Sequence, residues 1–96
     1  MKFKKSSFYI QNIPAAPLQF EKRNGYISEC RRYGFHKNGS KWIVSDIASG
    51  MRIYTAYTRK ACAEFCETYK GKIVAAKGSA QYHEAVRNME RFKTMR

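Results

Sequence analysis

A chain of 96 residues with 19 Lys and Arg against 7 Asp and Glu has a formal net charge of +12. Its hydrophobic fraction of 44% and aromatic fraction of 15% suit a single folded domain, spanning 1–96, and exclude a disordered chain. Self-repulsion at this charge density weakens the compact state, so an anionic partner is expected to use it.

No apolar run is long enough to cross a membrane as a helix. The opening MKFKKSSFYIQNIPAAPL has a basic head, but Gln11, Asn12 and Pro14 interrupt any apolar segment a signal peptide would need. A cytoplasmic location is therefore expected.

Residues 1–7, with Lys2, Lys4 and Lys5, read as a flexible basic arm, the first five alternatively as the frayed start of a strand. SFYIQNI then predicts a short edge strand ended by Pro14 and Pro17, which cannot donate to a ladder. Asn24-Gly25 predicts a turn. The stretch YISECRRYGFHK reads as one strand, with Tyr26, Ser28, Cys30, Arg32 and Gly34 on one face. Asn38-Gly39 predicts a tight hairpin into KWIVSDI, whose β-branched and aromatic residues favour a strand. ASG turns the chain back into MRIYTAY, with Met51, Ile53 and Thr55 on one face and Arg52, Tyr54 and Ala56 on the other.

Thr58 is a helix N-cap, and Cys62, Phe65, Cys66 and Tyr69 follow at helical spacing up to Gly71, placed as a C-terminal stop. IVAA at 73–76 reads either as a further strand or as a buried connector. Ser79 caps a second helix carrying Tyr82, Val86 and Met89 along one side. The expected fold is α+β: an antiparallel three- to four-stranded meander with two helices packed on one face.

Catalytic chemistry finds little support in these residues. Cys30, Cys62 and Cys66 are odd in number, and with only His36 and His83 elsewhere they do not make a zinc set. Cys62 and Cys66 read as buried thiols on one helix face. Asp46 is placed to hydrogen-bond the backbone of its turn. His36 and Tyr33 have general-base or nucleophile chemistry but no motif around them, and no phosphate-binding glycine loop occurs. No enzyme activity, cofactor, metal ion, membrane contact or small-molecule substrate is expected.

Basic residues interleaved with aromatics point elsewhere. ECRRYGFHKNGSKW gathers Arg31, Arg32, Tyr33, His36, Lys37 and Lys41 into what read as two hairpin arms, and Arg52 and Tyr54, with Tyr57 after them, extend the surface on the next strand; the first eight of these carry the site. Cations there would neutralise phosphates while rings stack on unpaired bases. Trp42 reads as core. These eight residues are the expected binding site for nucleic acid, RNA or DNA, or for a nucleoprotein; the alternative is an adaptor that recognises an acidic protein surface.

Residues 41–65 resemble a pattern met in small proteins of bacteriophages and mobile elements. It comprises a Lys-Trp strand with an Asp, a Ser-Gly turn, a return strand and a Thr-Arg-Lys helix start, matched by Lys41, Trp42, Val44, Asp46, Ser49, Gly50, Thr58, Arg59, Lys60 and Ala61. The resemblance implies an accessory protein similar to small anti-CRISPR inhibitors, acting without catalysis in the host cytoplasm. With this charge, such an inhibitor of a host defence effector would engage guide RNA, target DNA or an acidic protein surface.

Overall fold

The computed structural model describes residues 1–12 and 19–95. The fold is α+β, with five strands where three to four are predicted and three helices where two are predicted. The strands are β1 (Phe3–Asn12), β2 (Gln19–Ser28), β3 (Tyr33–Asn38), β4 (Lys41–Asp46) and β5 (Arg52–Ala56). They form one antiparallel sheet in sequential order. The helices α1 (Arg59–Thr68), α2 (Lys70–Ala76) and α3 (Ala80–Thr94) follow.

The N-terminal half differs most from the sequence reading. From Phe3 onward the strand alternative holds in place of the basic arm, paired residue by residue from Phe3↔Ser28 to Asn12↔Gln19. Phe3 anchors it, its ring edge-on to Phe35 at 4.9 Å. Asn24-Gly25 is no turn but lies within β2. Gly25 is needed there for another reason: a Cβ at this position would overlap the carbonyl oxygen of Phe35, so only glycine lets β2 cross β3 this closely. The strand ends assigned to Pro14 and Pro17 lie outside the described residues.

YISECRRYGFHK is two strands, not one. β2 ends at Ser28, residues 29–32 turn, and β3 begins at Tyr33, so the predicted alternation across Cys30 and Arg32 does not hold. Arg31 takes φ 62° in that turn, a left-handed conformation that a side chain disfavours. The tight β3–β4 hairpin forms, but its loop is Gly39-Ser40 rather than Asn38-Gly39: Asn38 is paired opposite Lys41, and Gly39, not Asn38, takes a positive φ, 64°. A register shift at Val44/Ser45 alters β5. Through this bulge the consecutive residues Ile53 and Tyr54 both turn toward the helices: Ile53 packs on the core, and the Tyr54 ring stacks on Phe65. The strict alternation expected for β5 is thus broken.

Sheet and helix share a core of Tyr33, Phe35, Val44, Cys62, Ala63 and Cys66, with Phe3, Tyr26, Trp42, Ile53, Ala56 and Ile73 around it. Full burial of Phe35 and of Val44 stabilises the fold by roughly 1.5–3 kcal/mol each. α1 starts where predicted, the Thr58 hydroxyl accepting from the Ala61 amide at 3.0 Å. It ends at Tyr69, whose backbone leaves helical geometry at φ −106°, ψ 22°. The chain then restarts as α2, so Gly71 sits inside a helix rather than stopping one, and IVAA is neither strand nor connector.

The Ser79 hydroxyl caps α3, accepting from the Tyr82 amide at 3.1 Å. This helix buries Ala85 and Met89 and packs its Phe92 ring against Tyr9 and Phe20 of the first hairpin. The Gln11 side-chain amide donates to the carbonyls of Ala85, at 3.0 Å, and Ser49. Asp46, 4% exposed, ties these parts together. Its Oδ2 accepts from the Ser49 amide (3.0 Å), the Ser49 hydroxyl (2.7 Å) and the Tyr82 hydroxyl (2.9 Å), and its Oδ1 lies 3.4 Å from Lys77 Nζ.

Candidate nucleic-acid interface

Strand geometry decides which cations can act together. Arg31 and Arg32 sit in the turn before β3, while Lys37 and Lys41 flank the hairpin tip at its other end. At about 3.3 Å of rise per residue, the length of β3 keeps the pairs well over 10 Å apart. The continuous basic hairpin expected from the sequence is therefore divided into two clusters.

The first cluster surrounds a groove of about 290 Å³ where Arg31 joins Lys2, Lys4, Ser6 and Glu29. The Glu29 amide donates to the Lys2 carbonyl at 3.0 Å, which fixes the chain start beside this turn. Lys2 and Lys4 reach Arg31 only because the residues read as an arm form a strand. Aromatic side chains contribute little here, since Phe3 is committed to the core.

The second cluster lies where β3, β4 and β5 end in one row. Lys37 is opposite Trp42, Trp42 is opposite Ala56, and Asn38 is opposite Lys41. At roughly 4.8 Å between neighbouring strands, the backbones at Lys37, Lys41 and Tyr57 fall within about 10–15 Å, with Lys37 on the Trp42 face of the sheet and Lys41 on the other face beside Tyr57. Tyr57 is 73% exposed, and Lys41 Nζ stands 5.6 Å from its ring centroid. Lys60, exposed in the first turn of α1, borders the same end.

Behind this row is an aromatic cage. The Arg59 guanidinium lies 4.1 Å from the Tyr26 ring centroid, 4.8 Å from Phe3 and 5.8 Å from Trp42. Each such contact contributes about 0.5–2 kcal/mol according to its desolvation. Arg59 is thereby fixed as a structural cation, and Trp42 takes the core role expected of it. Glu64 and Glu67 edge the same hollow, and the N-terminal ammonium lies 3.3 Å from Glu67.

The other predicted site residues go elsewhere. Tyr33 is buried on the helix side, and burial raises its phenol above the usual range. His36, 2% exposed, is buried on the opposite side of the sheet, with the Phe8 ring 6.0 Å away. Burial lowers its pKa, and the nearby Arg23 and Arg52 lower it further against an opposing effect of Glu21. His36 Nδ1 and Arg23 Nε are buried without a hydrogen-bond partner among the described residues. Arg52 is exposed at the start of β5, and Tyr54 lies flat against Phe65 at 3.9 Å and 4°. Neither Tyr33 nor His36 presents its side chain to a partner at the surface.

Among the described residues, Arg23 and Lys77 are the Lys and Arg side chains held in ion pairs. Lys37, Lys41 and Lys60 are in no ion pair among the described residues, although Lys60 shares its hollow with Glu64 and Glu67. No group of three or more His, Cys, Asp and Glu among the described residues is placed to hold a metal ion. Cys62 and Cys66 are buried, the first donating its thiol to the Trp42 carbonyl at 3.4 Å. None of the described helices is long and apolar enough to cross a membrane. The Arg59 cage escapes sequence reading because its three rings come from three strands. Tyr57 is legible in the sequence as an aromatic that extends the surface with Arg52 and Tyr54, but its place beside Lys41 depends on the β4–β5 pairing. No protein-family model, curated protein or solved structure matches the chain.

Proposed function

We propose that this chain is a non-enzymatic protein that binds single-stranded nucleic acid at the end of the sheet marked by Lys37, Lys41, Tyr57 and Lys60. The observation supporting this reading is the largely exposed Tyr57 ring beside Lys41, at an end of the sheet where Lys37, Lys41 and Lys60 are in no ion pair among the described residues. An exposed ring stacks on any unpaired base, and flanking ammonium groups track the phosphates on either side. Duplex bases are already stacked and offer the ring nothing, so the same surface favours single strands.

Fluorescence anisotropy with labelled 20-nucleotide single-stranded DNA, single-stranded RNA and duplex DNA, at several salt concentrations, tests the proposal. The single strands should bind more tightly than the duplex. Replacing Lys37, Lys41 and Lys60 together with Ser should reduce the log–log salt slope by about 2, at roughly 0.7 for each phosphate no longer neutralised. Tyr57→Ala should weaken binding by about tenfold or more while leaving that slope unchanged, because stacking displaces no counterions. Equal binding by parent and triple variant, each folded by circular dichroism, would falsify the assignment. No binding to any bare nucleic acid, with capture of an acidic protein instead, would establish the adaptor reading.

A further inference from the structure

On the other side of the molecule, α2 and the start of α3 part over β5 to leave a cleft of about 540 Å³. Such volumes suit a small organic ligand. Its walls are apolar and aromatic: Met51, Ile53, Phe65, Tyr69, Ile73 and Tyr82. Phe65 and Tyr69 belong to a ladder of rings, with Tyr54 against Phe65 at 3.9 Å and Phe65 against Tyr69 at 4.6 Å. Lys72 Nζ stands 5.5 Å from the Tyr69 centroid, at the open end of that ladder.

The charges at the cleft are unequal in kind. Arg52, Lys72 and Lys77 line it, against one acid, Asp46. Both oxygens of Asp46 are already engaged, by Ser49, Tyr82 and Lys77, so this carboxylate has little to offer an incoming cation. Lys72 and Arg52 have no ion-pair partner among the described residues. An apolar floor with aromatic walls and uncompensated positive charge at its edge is complementary to one kind of molecule.

We infer that this cleft binds a small aromatic acid: a planar apolar ring system carrying a single anionic head. The ring lies on Ile53 and Ile73 against the Phe65–Tyr69 wall, and the head meets Lys72 and Arg52. An amine of the same shape would set a cation against those cations, and a neutral ring would forgo the charge interaction. The sequence carries no ligand motif for this site, because its residues come from β4, β5, all three helices and the links between them. The site is separate from the Lys37–Tyr57 end of the sheet and does not rest on the nucleic-acid reading.

The test uses 8-anilinonaphthalene-1-sulfonate as fluorescent probe, with 2-naphthoate and 2-naphthylmethylamine as competitors. The probe should saturate at one equivalent and be displaced by the naphthoate roughly tenfold more effectively than by the amine, as charge complementarity requires. Ala76→Trp, which fills the cleft from α2, should abolish probe binding. Lys72→Glu, a change at an exposed position, should weaken naphthoate about fivefold or more and keeps the test decisive if the tryptophan disturbs the fold. Failure to saturate, equal displacement by acid and amine, or unchanged binding in folded Ala76→Trp or Lys72→Glu overturns the proposal.

Discussion

Replacing Asp46 with alanine should be among the most damaging single changes to this fold. The carboxylate is 4% exposed and is the shared acceptor for the β4–β5 turn, through Ser49, and for α3, through Tyr82. Removing it leaves the Ser49 amide and the Tyr82 hydroxyl without their acceptor, at about 1–3 kcal/mol each. It also leaves Lys77 beside an apolar cleft without its counter-charge. The sum is about 3–5 kcal/mol out of a total stability of roughly 5–15 kcal/mol. Tm should fall by roughly 15–30 °C. Urea unfolding followed by circular dichroism measures the loss, and a cycle with Tyr82→Phe locates it. Tyr82→Phe alone should cost about 1–2 kcal/mol, and close to nothing once Asp46 is gone. A parent-like midpoint for Asp46→Ala, or additive losses for the two changes, refutes the hub.

How much of this was legible depends on whether a signal is local. Thr58 and Ser79 cap helices as predicted because a cap is settled within four residues. Asp46 bonds its turn, and Cys62 and Cys66 face the core, for the same reason of short range. Gly25 misleads because glycine serves a turn and a close strand crossing equally well, and only the position of Phe35 tells them apart. Gly71 misleads because the helix stop came two residues earlier, at Tyr69, followed by a restart that no single residue announces. Tyr33 and His36 lie on opposite faces of β3, and alternation leads one to expect one of them at the surface. Both are buried because helix α1 covers one face while Phe8 of the first hairpin lies against the other. That second cover depends on pairing across the whole β1–β2 hairpin. The candidate interface was half legible: Lys37 and Lys41 are where a hairpin tip puts them, but nearness in sequence to Arg31 and Arg32 is not nearness in space.

The thiols should separate cleanly under a thiol reagent in the native state. Cys66 is pushed up to about 12 by burial and Cys62 is raised by burial, so neither should react without unfolding. At exposed Cys30, partial burial is outweighed by hydrogen bonds from Ser28 and the Arg32 backbone, which lower its pKa, so one rapid equivalent should be consumed, and none in Cys30→Ser. Arg31→Gly should stabilise the protein by about 0.5–1 kcal/mol, because φ 62° suits glycine; a lower unfolding midpoint would show that the Arg31 side chain contributes more than its backbone strain costs. His36 is held neutral in the fold by burial and by Arg23 and Arg52, so its folded pKa lies below the 6.5 of an ordinary histidine. The unfolded chain therefore binds this proton first as pH falls. The contribution is fully present above about pH 6.5 and is lost on acidification below it, by at most about 1.4 kcal/mol per pH unit, until the folded-state pKa is reached. Urea unfolding at intervals from pH 8 to pH 5 should show that decline, and His36→Gln should flatten it whatever its own effect on stability at pH 8. A slope unchanged by His36→Gln would mean that the imidazole takes up its proton as readily inside the fold as outside it, and that Phe8, Arg23 and Arg52 do not enclose it as described.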